Sequence, residues 1–265
     1  MFFLEPCSLY VLLVIYNQNG SDSPACEVLR TREDVGVLVV DNSTLDYQNA
    51  QYCKQAGFSY LSMEGNKGLS KAYNRGIRYL KEHTDATHVI LLDDDTTLGD
   101  DYFSVLLRGI SEHPDTRIFL PLVQDEVGYL SPCKINGYAV SRITSTEELD
   151  RDNITGINSG MALSLSLFDT YQYDETYFLD YIDHAFLRDM KRKGEPIRVI
   201  HTMLKQRFSG NDHSNYQATL TRFALFKRDF FLFCSDSAKG RLYAYAFLAV
   251  RRIRLFLSAH LRRRK

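Results

Sequence analysis

Apolar runs of strand length alternate with a helical pattern in the first hundred residues. The runs are SLYVLLVIY (8–16), VGVLVV (35–40), FSYLSM (58–63) and THVILL (87–92). They are rich in Val, Ile and Leu without polar alternation, as expected for strands that are covered on both faces. The segment GLSKAYNRGIRYLKEH (68–83) instead repeats apolar residues at helical spacing. This order predicts an α/β fold with a mostly parallel sheet and helices on both faces.

The pattern becomes less regular after Asp100. A predicted helix, DDYFSVLLRGISEH (100–113), is followed by short pieces such as RIFLPLVQ and the polar TSTEELDRDN. No Gly/Ser-rich linker or repeat divides the chain. We therefore predict one domain over residues 1–235, built from halves 1–100 and 101–235, and a helical tail over residues 236–265.

Polar residues follow each of the four predicted strands. They are Asn17 to Asn19, Asp41 to Thr44, the segment EGNKG, and the three aspartates Asp93, Asp94 and Asp95. Asn, Asp and Ser are also ordinary turn and helix-capping residues, so one such turn alone says little. Parallel sheets bind ligands beyond the carboxyl ends of their strands, however. Four polar turns at that edge predict a ligand site.

The three consecutive aspartates suit a divalent cation. Side chains alternate along extended chain, which places Asp93 and Asp95 on one side and Asp94 on the other. Mg²⁺ and Mn²⁺ bind to one or two carboxylates and complete their coordination with water and phosphate oxygens. A nucleotide diphosphate next to these carboxylates would require such a cation. The alternative is a set of solvated acids before a helix that starts in residues 96–101.

Two nucleotide-binding classes are disfavoured, and one phosphotransfer class stays open. The chain has no G-x-x-x-x-G-K-[ST] motif and no G-x-G-x-x-G after its first strand. An aspartate-dependent phosphotransferase could use Asp93 with an acid two positions later and a distant lysine. A non-catalytic module that binds nucleotides is a second alternative.

Charge is unevenly distributed along the 265 residues, although the formal net charge is only −1. Residues 237–265 contain nine Lys or Arg and no acid, and their apolar residues fall at helical spacing: Ala246, Val250, Ile253, Phe256, Leu257 and Leu261. A basic amphipathic helix of this kind predicts binding to an anionic membrane surface. The alternative is a terminal helix packed on the domain. Nucleic acid is not expected as a partner, since no base-reading motif accompanies the charge.

Cysteine usage and the N-terminal residues indicate a cytoplasmic setting. The five cysteines are widely spaced and form no C-x-x-C pair, which fits a reducing compartment better than a disulfide framework. The first apolar stretch lacks a basic beginning and is interrupted by Glu5 and Pro6, so we interpret it as a leader into the first strand.

Seven short motifs occur in an order that resembles a known family. They are VIYNQ, VVDNST, GNKGLSKAYNRGI, ILLDDDT, NSGMALS, YFLDYIDHAF and KRKG, spread over residues 9–212. The chain resembles family 2 glycosyltransferases of GT-A fold, particularly the bacterial rhamnosyltransferase-like branch that builds surface polysaccharides. The resemblance implies a Rossmann-like sheet in which residues 1–100 bind the nucleotide and residues 101–235 bind the acceptor.

The resemblance also implies roles for residues near the donor. Asp93 and Asp95 match the metal-binding D-x-D, and Asp94 would contact the sugar or ribose. Tyr16 and Asn17 would border the base. The resemblance also places Asp41, Asn66 and Gly68 on the donor side, with Lys67 and Asn74 as further neighbours. From the residues alone, Gly68 would allow close backbone approach, and a helix starting near Leu69 would direct its amides at an anion.

A second acidic pair, Asp180 and Asp183, would lie on one helix face if its segment is helical. A carboxylate can take the proton from an attacking hydroxyl. The resemblance assigns this catalytic role to Asp183, with Asp180 supporting it or contacting the acceptor. Many relatives carry an acid two residues after the base and an aromatic third; here Ala185 and Phe186 follow, so only the aromatic matches.

Asn158, Ser159 and Gly160 are expected to form a polar loop beneath the donor sugar on the acceptor side, although an ordinary turn into a strand fits equally well. His201 is a candidate for a further metal ligand, but a lone His in a strand is more often structural. Arg207, His213 and Arg222 are candidates for phosphate contacts.

The resulting expectation is an inverting, Mn²⁺- or Mg²⁺-dependent transferase. It would move a sugar from dTDP-rhamnose or a UDP-hexose to a hydroxyl of a glycan or lipid-linked acceptor. The predicted location is the inner face of the cell membrane, bound peripherally.

Overall fold

A computed structural model describes residues 8–206 and 216–262 of the chain. Its strands are β1 (Leu9–Ile15), β2 (Gly36–Asp41), β3 (Ser59–Ser62), β4 (His88–Asp93), β5 (Thr96–Thr97), β6 (Ile118–Asp125), β7 (Gly128–Ser131), β8 (Cys133–Asn136), β9 (Ala139–Ser141), β10 (Ile154–Thr155), β11 (Met161–Ser164) and β12 (Ile197–Gln206). Its α-helices are α1 (Pro24–Leu29), α2 (Asn49–Ala56), α3 (Leu69–His83), α4 (Tyr102–Glu112), α5 (Ile182–Arg192), α6 (Tyr216–Cys234) and α7 (Ala238–Arg262). Three short 3₁₀ helices cover Gly20–Asp22, Thr146–Glu148 and Leu165–Asp169.

The main sheet has the strand order β3-β2-β1-β4-β11-β6-β12-β5, with β7 paired to β6. The first four strands are parallel, as their continuous apolar runs predict. β11 lies antiparallel between β4 and β6, and β12 is parallel to β6. The sheet is therefore parallel in its first half and mixed in its second. A separate three-stranded sheet has the order β10-β8-β9.

Two apolar cores cover the two faces of the main sheet. One contains alternate residues of β1, such as Leu12, with Tyr73 of α3 and Phe186 of α5. The other contains Leu13 of β1 with residues of α1 and α4. Alternation along β1 therefore sends successive side chains to opposite cores, which is why the strand has no polar face.

Helices α6 and α7 form a hairpin that extends the first core. Phe226, Phe230 and Phe233 of α6 belong to that core, together with Ala244 and Leu248 of α7. The N-terminal half of the tail helix is therefore packed on the domain through α6. Within the described residues, no helix is long and apolar enough to span a membrane.

The segment after the three aspartates differs from the sequence-based alternative of a helix start. Thr96 and Thr97 form the short strand β5, which pairs antiparallel with Lys205 and Gln206 at the end of β12. The first turn of α4 is delayed until Tyr102. This pairing is long-range, so local helix-start residues could not reveal it. Its consequence is that the end of β12 lies beside Asp93 to Asp95.

Candidate active site

The carboxyl ends of β2, β1 and β4 meet at one edge of the sheet. In the register of these strands, Asp41 lies opposite Ile15, and Asp93 lies opposite Val14. The residues that follow each strand consequently lie close together. The structure brings Tyr16, Asn17, Asp41 and Asp93 to a single concave edge, where the sequence predicted a ligand site.

Asp93 and Asp95 share one bridging partner. The Nε2 of Gln206, the last residue of β12, donates to Asp93 Oδ2 at 2.9 Å and to Asp95 Oδ1 at 3.0 Å. The other amide atom, Oε1, is buried and has no hydrogen-bond partner among the described residues. No local motif marks Gln206, and sequence reasoning missed it because only the pairing of β12 with β5 brings it here.

Asp94 has different partners from Asp93 and Asp95, as predicted, although the cause is a turn at residues 94 and 95 and not alternation along an extended strand. Its Oδ2 accepts from the backbone N–H of Tyr16 at 3.3 Å, and its backbone carbonyl accepts from Ser23 Oγ at 2.7 Å. These contacts join the aspartates to the loop after β1. Asp94 is therefore placed to respond to a ligand near Tyr16, and Asp93 and Asp95 to one near Gln206.

The three carboxyl groups have raised pKa values. Burial, reinforced by the neighbouring charges of Asp95 and Asp94, raises the pKa of Asp93 to about 7. Burial also raises the pKa of Asp94 to about 6 and that of Asp95 above its ordinary value. Three negative charges in a poorly hydrated place repel one another, and a divalent cation would relieve that repulsion.

The residues around Asp93 fit Mg²⁺ or Mn²⁺ through two carboxylates. In the part of the chain that the structure describes, no group of three or more His, Cys, Asp and Glu side chains is arranged to hold a metal. Mg²⁺ does not require such a group, since it usually keeps several waters and takes phosphate oxygens beside one or two carboxylates. The Gln206 side chain contacts both carboxylates through its Nε2, so its Oε1 would reach a cation between them only after rotation of the amide.

The loop after β1 is tied to the loop after β2. Asn17 adopts the left-handed conformation, with a φ of 52°. Its Oδ1 accepts from the backbone N–H and the hydroxyl of Thr44, at 2.8 and 3.0 Å. Its own N–H donates to Ser43 Oγ at 2.9 Å. Tyr16, in contrast, is half exposed at the mouth of the site and is free to contact a planar ligand group.

Asp41 is buried and held by protein donors. Its Oδ2 accepts from Asn49 Nδ2 at 3.0 Å and from the Tyr60 hydroxyl at 3.1 Å, while Oδ1 accepts from the Ser43 N–H at 3.0 Å. These bonds fix the start of the loop after β2. The side chain of Asp41 therefore has a structural function whether or not a ligand approaches it.

The turn that precedes α3 is built around Asn66. Its Oδ1 accepts from Asn42 Nδ2 and from the Gly68 N–H, both at 3.1 Å, and Asn42 Oδ1 accepts from the Lys67 N–H at 2.8 Å. Gly68 has a φ of +91°, and a Cβ there would lie 2.8 Å from the Phe178 ring. Glycine is required at this position by both conformation and contact.

Asn74 is committed to the fold. Its Oδ1 accepts from the Tyr173 N–H at 2.9 Å, and its Nδ2 donates to the Tyr173 carbonyl at 2.9 Å and to Glu175 at 3.1 Å. The amide thus links α3 to the segment before α5. This placement gives it a structural role in place of the donor contact that the resemblance suggested.

The loop Asn158 to Gly160 contacts the chain on both sides of Asp94 and Asp95. Ser159 is fully buried; its Oγ accepts from the Asp93 N–H at 3.2 Å and bonds to Thr96 Oγ1 at 2.7 Å. Gly160 is buried, with a φ of +77° and the Leu204 side chain 2.4 Å from where a Cβ would be. Ser159 and Gly160 therefore cannot contact an acceptor directly. Asn158 Oδ1 is buried without a partner among the described residues.

Asp183 lies in the first turn of α5, partly shielded from solvent. Burial raises its pKa, against the opposing charge of His184 and the bond that its Oδ1 accepts from the His184 N–H at 2.7 Å. His184 is in turn held by Thr155 Oγ1 at 2.8 Å. The charge of Asp183 also contributes, after larger causes, to the raised pKa of Asp93, so the two carboxyl groups are near enough to interact electrostatically.

Asp180 is not on the helix with Asp183, contrary to the sequence-based expectation. Helix α5 begins at Ile182, and the preceding Tyr181 has a φ of 62°. Asp180 instead forms a two-pronged ion pair with Arg222 of α6, which includes a 2.6 Å bond from Nη2 to Oδ1. Arg222, a candidate phosphate ligand, thus already has an anionic partner on the acceptor side.

His201 lies on β12 with an exposed side chain. The β12 residue that contacts Asp93 and Asp95 is Gln206. Arg207 and His213 lie outside the described residues.

A cavity of about 330 Å³ lies between α5 and the small sheet, next to Asp183. One face of α5 lines it with the basic side chains of His184, Arg188, Lys191 and Arg192. The opposite wall comes from the strands β8 and β10 and includes Thr155. Asp152 also lines the cavity, and Arg188 and Arg192 both pair with Asp236, so the charge of these bases is partly balanced.

Comparisons with known proteins found matches in sequence and in fold. A family model described as glycosyl transferase family 2 matches residues 15–160. A curated relative from Shigella flexneri, dTDP-rhamnosyl transferase RfbF, is 26% identical over 182 residues. That match covers 66% of this chain and 60% of the relative, so the chain spans less than two thirds of the relative's length.

Solved structures of S. aureus TarS share the fold. The TarS 1–349 structure has a TM-score of 0.54 at 14% identity, covering 91% of this chain and 69% of its own. The same protein has been solved with UDP and with UDP-GlcNAc, at TM-scores of 0.53. The fold is that of the GT-A glycosyltransferases, as the order of motifs implied.

Proposed function

Because the chain belongs to glycosyl transferase family 2, we propose that it moves a sugar from a nucleotide diphosphate to a hydroxyl group with inversion at the anomeric carbon. The observation that carries this proposal is the arrangement of the carboxylates. Asp93 and Asp95 converge on one side chain at the edge of the sheet, and the partly buried Asp183 of α5 is near enough to interact electrostatically with Asp93.

The carboxylates have two different roles in this proposal. Asp93 and Asp95 would hold Mg²⁺ or Mn²⁺, which neutralises the charge of a departing diphosphate when it is bound. Asp183 accepts the proton of the acceptor hydroxyl through its carboxylate. Its raised pKa suits this task, since a base works best when its pKa is near the working pH.

The donor is proposed to be dTDP-rhamnose, with a UDP-hexose second. The support is the name of the S. flexneri relative and the nucleotides present in the TarS structures. Tyr16, half exposed beside Asp94, offers a surface for the base. A glycan or lipid-linked acceptor is proposed because the sequence resembles the rhamnosyltransferase-like branch of the family that builds surface polysaccharides.

The chain is also proposed to bind the inner face of the cell membrane through α7. Leu242, Tyr245, Val250 and Ile253 are all about half exposed or more, while Ala244 and Leu248 pack on α6. The exposed residues, together with nine bases and no acid in residues 237–265, complement an anionic lipid surface. Two copies of so basic a helix would repel each other.

A donor panel tests the proposed activity. The protein is incubated with dTDP-rhamnose, UDP-glucose, UDP-galactose and a GDP-sugar in the presence of Mn²⁺, and release of the nucleoside diphosphate is measured. One donor should be consumed. Asp183→Asn should keep donor binding but lose transfer, and Asp93→Ala should lose the cation-dependent part of donor binding.

Three results would contradict the proposal. No binding and no turnover with any donor would exclude the transferase. Phosphorylation of Asp93 by a small phosphodonor would favour the phosphotransferase. Donor binding without turnover on any acceptor would favour a non-catalytic nucleotide-binding module.

A further inference from the structure

The segment over residues 176–181 connects the donor half of the site to Asp183. It contains no regular secondary structure and ends at Tyr181, whose positive φ starts α5. At its other side, the Phe178 carbonyl accepts from the Leu69 N–H at 2.6 Å, directly after Gly68. Its conformation therefore fixes two things at once: the direction of the first turn of α5 and the position of the turn before α3.

One buried carboxylate of α6 holds this segment. Asp229 is 0% exposed. Its Oδ2 accepts from three successive backbone N–H groups, those of Phe178, Leu179 and Asp180, at 3.1, 2.8 and 2.9 Å. Its Oδ1 accepts from the Phe178 N–H at 3.2 Å. Three consecutive amides around one oxygen form an anion-binding concavity of the kind that backbone nests provide.

The cost of burying this charge indicates what it does. An ionised carboxylate in an apolar interior is unfavourable unless strong hydrogen bonds replace its hydration. Here those bonds come from backbone N–H groups of a segment with no regular structure, and the Arg228 guanidinium adds a cation 3.5 Å from Oδ1. Charge-assisted bonds of this kind are about twice as strong as neutral ones. Asp229 and the segment therefore stabilise each other in one conformation.

A second α6 side chain acts on the same segment. Arg222 pairs with the Asp180 carboxylate, two residues from where α5 begins. Between these two contacts, the Tyr181 ring packs against Phe226, Phe230 and Phe233 of α6 at centroid distances of 4.9 to 5.9 Å. Side chains of α6 thus contact the backbone of the segment, the carboxylate of Asp180 and the ring of Tyr181.

We propose that α6 positions the catalytic base: Asp229, assisted by Arg222, fixes residues 178–180 so that Asp183 points at the acceptor hydroxyl and Phe178 holds the Gly68–Leu69 turn. Asp229 contacts neither substrate nor cation in this role; it acts through the backbone. The inference rests on the proposed function, since it requires Asp183 to be the base. In sequence, Asp229 looks like an ordinary surface acid of a helix.

The test uses the change Asp229→Asn. An amide can accept from the three N–H groups only with its oxygen, and it lacks the charge that strengthens those bonds. Misplacement of a reacting group by about 1 Å can lower a rate by about 10²-fold, so we expect kcat to fall by about that factor at saturating donor. The control is Asp125→Asn, which removes a buried carboxylate that accepts from the Val127 and Gly128 N–H groups and pairs with Arg142, not with the segment.

Two measurements distinguish positioning from general loss of structure. Hydrogen exchange of a peptide covering residues 176–181 should become faster in Asp229→Asn and stay unchanged in Asp125→Asn. In a double-mutant cycle, Asp229→Asn should add little to the loss already caused by Asp183→Asn, because it acts through that base. Independent, multiplicative losses would overturn the inference, as would a wild-type kcat with wild-type exchange.

Failure of the inference and failure of the proposed function give different results. If Asp183→Asn alone transfers sugar at the wild-type rate, the proposed base is wrong whatever Asp229 does. If Asp183→Asn is inactive and Asp229→Asn behaves as wild type, only the positioning role fails. Should Asp229→Asn not fold, Arg222→Gln replaces it in the same cycle, since the Arg222 side chain is 42% exposed. An unchanged kcat in Arg222→Gln would then overturn the inference.

Discussion

At the scale of single residues, the active site brings three carboxyl groups close together, and a bound cation would relieve the repulsion between their negative charges. Asp93 is buried beside two other acids, and its pKa is raised to about 7. In the unfolded chain the same group titrates near 4. The folded protein therefore binds an extra proton between about pH 4 and pH 7, and its stability falls as the pH rises through that window.

Replacement of Asp93 by Asn should stabilise the protein without added metal at pH 8. It removes an ionised group that the fold disfavours, by on the order of 2 kcal/mol after allowance for the solvent that reaches the site. At about 2–4 °C per kcal/mol for a domain of this size, thermal melting should rise by several degrees. Mn²⁺ should raise the melting temperature of the wild type but not that of the variant.

The pH dependence provides the control for this prediction. At pH 5 Asp93 is largely protonated in the folded wild type, so Asp93→Asn should change the melting temperature little. An equal rise at pH 5 and pH 8 would mean that the gain comes from packing, not from charge.

The acid limb of the transfer rate should reflect Asp183. A base is inactive when protonated, so kcat/KM should fall as the pH drops through the raised pKa of Asp183, above the value near 4 of an ordinary aspartate. The charged groups that act on it are His184, which lowers the pKa, and Asp180, which raises it. His184→Gln should therefore shift the limb to higher pH. A shift to lower pH, or a limb near pH 4 in the wild type, would contradict this assignment.

At the scale of elements, glycines set the ends of strands that carry the site. Gly160 precedes β11, and its N–H donates to the Leu91 carbonyl of β4 at 2.7 Å. It combines a φ of +77° with a tight contact, since a Cβ would lie 2.4 Å from Leu204 and 2.8 Å from Pro121. Gly57, at the end of α2, has nearly the same φ, +75°, with open space around it.

These two glycines give a matched pair of variants. Gly57→Ala should lose only the cost of a left-handed residue, about 1–2 kcal/mol of unfolding free energy. Gly160→Ala should lose a further 1–3 kcal/mol or so, because the methyl group overpacks the core. Denaturant unfolding measures both losses. Equal losses of unfolding free energy would show that the Leu204 side chain moves aside freely and that the loop Asn158 to Gly160 deforms easily.

Elements also show what the sequence can and cannot predict. The apolar runs before Asp41 and Asp93 identify buried parallel strands and place their acids at one edge, because the cause lies in local pattern. The position of β11 between β4 and β6 depends on long-range pairing, which no local run encodes. Gln206 and Asp229 were missed for the same reason: each gains its role from a partner more than forty residues away.

At the scale of the whole molecule, α6 and α7 connect an exposed surface to the active site. The outer face of α7 carries Leu242 and Tyr245, which are 72% and 64% exposed. Its inner face packs on α6, where Phe230 contacts both Phe247 and Tyr181. Arg251 stacks on the Phe226 ring at 3.7 Å, so it belongs to the packed side of the tail, and a truncation before it would disturb the domain.

Surface variants are therefore a cleaner test of membrane binding than truncation. Leu242→Glu with Ile253→Glu introduces two acids at exposed positions of α7, and it should abolish cosedimentation with vesicles that contain phosphatidylglycerol without lowering the melting temperature. Wild-type binding should weaken from 50 to 500 mM salt, because exposed charges are screened. The matched control is Leu107→Glu with Val127→Glu, two exposed apolar residues elsewhere, which should bind as wild type does. Equal binding by all three proteins would refute docking through α7, and self-association in place of vesicle binding would assign this face to a second copy.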